Sequence, residues 1–130
     1  MKTYINPLYI CLFIAGLLAC TQHKNDPNEL EPQTFEQQAK NTQGILLDVR
    51  TPEEYNEGHL SGAINIDYKA DNFEAALGQL DKDKPYYIYC KSGVRSGNTV
   101  TKMQKMGFTQ VYNMDGGVEA WKAEGLPLQK

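Results

Sequence analysis

Arginine and histidine are scarce in this chain of 130 residues: Arg50 and Arg95 are its only arginines, and His23 and His59 its only histidines. Thirteen Lys and Arg against sixteen Asp and Glu leave a formal charge of −3, so no basic surface draws the chain onto a phosphate backbone. Nucleic acid is therefore not an expected partner. The three cysteines include no pair at metal-ligand spacing, and no histidine cluster compensates, so neither a metal nor another cofactor is expected. Also missing are a dinucleotide fingerprint, a phosphate-loop lysine motif and, around Ser92 and Ser96, the context of a serine hydrolase elbow. No apolar run approaches the ~20 residues of an ordinary transmembrane helix. What remains is ordinary globular composition, 41% hydrophobic and 22% charged, at a length that suits one packed domain.

The first stretch reads as a targeting segment. Lys2 precedes an apolar run from Leu8 to Ala19, the layout of a secretory signal, and the chain turns polar at Thr21. Leu17-Leu18-Ala19-Cys20 resembles a bacterial lipobox, with Leu18 where a smaller residue is more usual; the alternative is a plain cleaved signal and a coincidental cysteine. The resemblance implies cleavage after Ala19 and a lipid on Cys20, which places the protein in a bacterial cell envelope, facing the periplasm or the outer surface. Residues 1–19 are then the signal, 20–32 the lipidated cysteine and a polar tether reaching at most about 40 Å, and 33–130 the folded domain. His23 lies in the tether and receives no role. In the mature chain Cys90 is the lone free thiol, so no internal disulfide forms, and a monomer is expected.

The body alternates strand and helix signals. Ile45–Val49, Ala63–Ile66, Tyr86–Cys90 and Val111–Met114 are short β-rich runs with the apolar character of strands buried on both faces. Between them, Thr51 caps a short helix that starts at Pro52, carries Glu54 three residues after the cap and stops at Gly58. Further helices are expected over Asn72–Leu80, Ser96–Met106 with its stop at Gly107, and Val118–Glu124, with one over Thr34–Lys40 ahead of the first strand. The pattern predicts a single α/β domain with a mostly parallel sheet and helices on both faces. Ligands of such sheets bind outside the carboxyl ends of the strands, which selects the turns after Val49, Ile66, Cys90 and Met114.

The turn after Cys90 carries the most chemistry. Lys91-Ser92-Gly93-Val94-Arg95-Ser96 runs straight into a helix, so the Cys90 thiol faces free backbone N–H groups and a positive helix terminus, which stabilise an anion. These features, with the charges of Lys91 and Arg95, are expected to lower the thiol pKa and make Cys90 a nucleophile. Gly93 allows the positive φ that an anion-cradling loop needs. The competing reading is a cysteine that merely packs at a strand end.

Four ordered segments resemble a single-domain rhodanese: Leu46-Leu47-Asp48-Val49-Arg50, Glu57 to Ile66, Cys90 to Ser96, and Asp115-Gly116-Gly117 followed by Trp121. The resemblance covers about Thr34 to Leu128, and Leu60 in place of the commoner isoleucine is a trivial departure. It implies a rhodanese-like fold and a sulfurtransferase in which Cys90 takes the outer sulfur of a donor such as thiosulfate, expels sulfite, and passes the sulfur from a persulfide to cyanide or a thiol. Lys91, Ser92, Gly93, Val94 and Arg95 would bind the donor. Cysteine phosphatases resemble one another in having five residues between cysteine and arginine; four separate Cys90 from Arg95, which disfavours phosphatase or arsenate reductase chemistry.

Asp48 and Arg50 are expected to brace neighbouring loops by charge pairing rather than to do chemistry. His59 belongs to a structural turn in the family, and a lone histidine is usually a hydrogen-bonding group. Trp121 and Gly116-Gly117 pack and turn the last helix, while Glu53, Glu54 and Glu57 read as a solvated face. The implied partners are a small sulfur-anion donor, a thiol acceptor that includes an envelope protein, and the membrane through Cys20. The alternative function is a non-catalytic or partner-dependent module that accepts a persulfide without turning over small donors.

Overall fold

The structure, a computed structural model, describes residues 25–130. The signal reading over 1–19, the lipidated Cys20 and the first part of the tether lie outside the described residues. Ten elements follow in order: β1 (Glu29–Leu30), α1 (Pro32–Asn41), β2 (Ile45–Asp48), α2 (Pro52–Glu57), β3 (Ile64–Asn65), α3 (Phe73–Gly78), β4 (Tyr86–Tyr89), α4 (Val94–Lys105), β5 (Val111–Met114) and α5 (Gly117–Ala123). The five strands form one sheet in the order β1-β5-β4-β2-β3, every neighbouring pair parallel. The expected α/β domain is what forms, and its sheet is wholly parallel.

Alternation along the middle strand builds two cores. Tyr86, Ile88 and Cys90 face one layer with Leu47, Val49, Phe73, Leu77, Val100, Met103 and Val111. Tyr87 and Tyr89 face the other with Leu30, Phe35, Ala39, Leu60, Val118 and Trp121. Helices α3 and α4 therefore cover one face, and α1 and α5 the opposite one. All four residues of β4 are buried, as a central parallel strand requires.

Two sequence expectations need correction. The polar tether does not run to Pro32: Glu29 and Leu30 pair with Asn113 and Met114, and α1 starts at Pro32, so the last residues assigned to the tether belong to the sheet and its first helix. A two-residue edge strand with one apolar side chain leaves no periodic signal. The second expected strand is not buried on both faces. It shrinks to β3, an edge strand on which Ile64 is 50% exposed. The other differences are at element ends, where ladders and helices fray; the notable one is α4, which begins at Val94 rather than Ser96 and so takes the second half of the Cys90 turn into its first turn.

Candidate active site

Cys90 directly follows the central strand and is 1% exposed. Its sulfur accepts hydrogen bonds from the Gly93 N–H at 3.1 Å and from the Ser96 hydroxyl at 3.2 Å. Burial pushes the thiol up, but the Ser96 hydroxyl, followed by the backbone N–H groups of Ser96, Gly93 and Ser92, outweighs it and holds the thiol below its ordinary range. Gly93 caps α4 with φ 99°, a conformation that turns the chain back over the sulfur and that L side chains rarely adopt. The first-turn N–H groups of a twelve-residue helix thus open toward the thiolate, where the helix dipole adds to the individual hydrogen bonds.

The carbonyls of the loop are held from behind. Val118 N–H donates to Cys90 O at 2.9 Å and Glu119 N–H to Lys91 O at 3.1 Å, so the start of α5 grips the first two peptides of the loop. The approach is so close that a Cβ on Gly117 would lie 2.5 Å from the Lys91 carbonyl. Farther along, the Asn113 side-chain amide donates to Gly93 O at 3.1 Å and, from the same nitrogen, to both carboxylate oxygens of Glu29 at 3.0 Å. In a trans peptide the carbonyl and the following N–H point opposite ways. Pinning the carbonyls of Cys90, Lys91 and Gly93 therefore turns the N–H groups of Lys91, Ser92 and Val94 away from α5 and Asn113, and the Ser92 N–H reaches the sulfur.

Among the expected site residues, Lys91, Ser92, Gly93, Val94 and Arg95 all surround this turn, but the two cations behave differently from the expectation. Both terminal nitrogens of Arg95 donate to Glu54, at 3.0 and 2.9 Å. Lys91 is 64% exposed and lies 3.8 Å from Glu119. The largest effects that lower the Cys90 pKa come from Ser96 and backbone donors, not from these charges. Glu54 is accordingly not a solvated face residue: it is fixed between Arg95 and the Thr51 hydroxyl, and Arg95 holds its carboxyl below the usual range. Val94 is exposed beside the turn.

Asp48 and Arg50 form a buried pair beneath the site. The Arg50 guanidinium donates to Asp48 at 2.6 to 3.1 Å and to Gly58 O at 2.6 Å, and it lies 5.5 Å over the Tyr89 ring next to Cys90. His59 stacks on Tyr55 at 3.8 Å, its Nδ1 lies 3.0 Å from Tyr55 O, and its backbone pairs with Gln129, which closes the C-terminal end onto α2. Among the described residues no group of three or more His, Cys, Asp or Glu is placed to hold a metal ion.

Sequence reasoning missed Ser96, Asn113, Glu29 and Glu54. Only Ser96 left a signal, since it is in the first turn of a helix that starts beside the thiol.

Residues 31–124 match the rhodanese-like domain, and the chain belongs to that family. It is 31% identical over 102 residues to a sulfurtransferase of Allochromatium vinosum, covering 78% of this chain and 94% of that protein. It is 36% identical over 84 residues to thiosulfate sulfurtransferase GlpE of Shewanella oneidensis, covering 65% of this chain and 79% of the relative. A rhodanese-related protein from Thermoplasma volcanium has the same fold, with a TM-score of 0.69 and 26% identity over 78% of this chain and 97% of the other.

Proposed function

We propose that this rhodanese-like chain is a sulfurtransferase that carries a sulfane sulfur on Cys90. The observation that carries the reading is the Cys90 sulfur itself, buried at the carboxyl end of the central strand with hydrogen-bond donors from Gly93 and Ser96 aimed at it. Likeness to two sulfurtransferases supports the same reaction class.

The chemistry follows from the geometry in two steps. The Cys90 thiolate attacks the outer sulfur of a donor such as thiosulfate; the donor's S–S bond breaks, and sulfite leaves with the electron pair. The new persulfide keeps one negative charge on its terminal sulfur, beside the N–H groups that held the thiolate, so the intermediate meets donors already in place. An acceptor thiolate or cyanide then attacks that sulfur and regenerates the Cys90 thiolate. Lys91, Ser92, Gly93, Val94 and Arg95 form the rim through which the donor approaches. Asp48, Arg50 and His59 hold the surrounding loops. The proposed setting is the bacterial envelope, through lipid on Cys20.

Intact-protein mass measurement tests the reading on the chain from Thr21 onward, in which Cys90 is the one cysteine. Thiosulfate is expected to add one sulfur atom and cyanide to remove it, with neither change in Cys90→Ser. No gain of sulfur on a reduced thiol from thiosulfate or from an alkyl persulfide overturns the sulfurtransferase reading in favour of a binding module.

A further inference from the structure

We propose that Glu54 sets the donor preference of this sulfur loop: by occupying both terminal nitrogens of Arg95, it withholds the guanidinium from a doubly charged donor and leaves a site suited to a singly charged alkyl persulfide. The inference rests on the sulfurtransferase reading and deepens it.

The pair has the geometry of a deliberate clamp. Each terminal nitrogen of Arg95 meets its own oxygen of Glu54, the two-pronged arrangement that is strongest for these groups. Glu54 is itself held at the third position of α2, where the Thr51 hydroxyl accepts from its N–H and donates to its carboxylate, both at 3.3 Å. The two residues are 41 positions apart in the chain, so the contact is made only where α2 meets the start of α4. Their side chains are 19% and 29% exposed, which places the pair at the rim rather than in the core. Arg95 also senses the Cys90 thiolate electrostatically, so its charge lies within range of the reacting sulfur.

With Arg95 answered by Glu54, and Lys91 turned toward Glu119, the cations around the sulfur each have a carboxylate. The thiolate then rests on uncharged donors, the Ser96 hydroxyl and backbone N–H groups. Such a cradle suits one negative charge. Thiosulfate brings two and releases sulfite, also a dianion, whereas an alkyl persulfide brings one and releases a singly charged thiolate. In both transfers Cys90 forms one S–S bond, the donor loses one, and the leaving group takes the electron pair, so the donors differ in charge and not in chemistry.

The test is steady-state sulfur transfer to cyanide by the full chain, with thiosulfate and with a cysteine-derived persulfide as donors. In Glu54→Gln the freed guanidinium is expected to raise kcat/KM for thiosulfate about tenfold, the scale of one added charge-assisted contact, and to change the persulfide value less than about threefold. In the Arg95→Gln background there is no guanidinium to free, so adding Glu54→Gln is expected to change thiosulfate kcat/KM less than about threefold relative to Arg95→Gln alone; a tenfold gain that survives there would overturn the proposal. Should Glu54→Gln fail to fold, Glu54→Asp takes its place: its shorter side chain cannot reach both nitrogens, and the same gain confined to thiosulfate is expected. The proposal is also overturned if Glu54→Gln lowers thiosulfate activity or raises both donors equally. Absence of transfer from either donor in the original chain counts against the sulfurtransferase reading instead.

Discussion

The side-chain nitrogen of Asn113 links the edge of the sheet to the sulfur loop, donating to Gly93 O at 3.1 Å while it holds both carboxylate oxygens of Glu29 at 3.0 Å. Asn113 is 3% exposed, and the peptide it grips carries the N–H of Val94 on its other side. The edge strand β1 therefore acts on the Cys90 turn without touching the sulfur.

Removing that amide should loosen the turn. Asn113→Ala leaves the Gly93 carbonyl with its helical partner alone, the Gly97 N–H at 3.0 Å. The expected stability loss is about 1–3 kcal/mol, measured by urea denaturation. Sulfur loading of Cys90 should slow as well, and the pH at which the thiol becomes reactive should rise; unchanged loading would show that the turn holds its shape by itself.

Ser96 supplies the largest single effect that lowers the Cys90 thiol. Thiolate is the attacking species, so the rate of alkylation by iodoacetamide should climb with pH and level off below the range of an ordinary thiol. In Ser96→Ala the sulfur loses a donor at 3.2 Å, the plateau should move to higher pH, and the rate at neutral pH should fall about three- to tenfold. Overlapping pH profiles would leave the backbone donors as the whole cause.

Acid should undo the Glu54–Arg95 clamp. Arg95 holds the folded-state Glu54 carboxyl below its ordinary 4.5, so the pair stabilises the fold above that pH and the contribution is lost as pH falls through the lowered folded value. The pair is partly exposed, so the effect at neutral pH is at most about 1 kcal/mol. Melting temperatures of the original chain and Glu54→Gln should differ most near neutrality and converge toward pH 3; a gap that widens in acid would contradict this.

Beneath the loop, Asp48 is fully buried and Arg50 is its charged partner. Arg50→Ala leaves that carboxylate without its charged partner, with the backbone N–H of residue 50 still donating to it, and removes the guanidinium from the Gly58 carbonyl, with an expected cost of about 3–5 kcal/mol in chemical denaturation. A cost below about 1 kcal/mol would mean that water reaches Asp48.

Much of this molecule is legible in its amino-acid order because the signals are local. Short apolar runs separated by capped helices fix a parallel sheet, and Thr51-Pro52-Glu53-Glu54 marks the start of α2 where it is found. Cys90 at a strand end, followed by Gly93 and a helix, marks the thiol and the donors that surround it, since strand, turn and helix follow one another without interruption. Tertiary structure decided the rest. Glu54 meets Arg95, Asn113 meets Gly93 and Glu29, and α5 grips the Cys90 and Lys91 carbonyls only after the sheet order β1-β5-β4-β2-β3 sets those elements side by side. Composition and spacing cannot show that an arginine is already occupied, because a charge pair between residues 41 positions apart exists only once burial and strand pairing have fixed both ends.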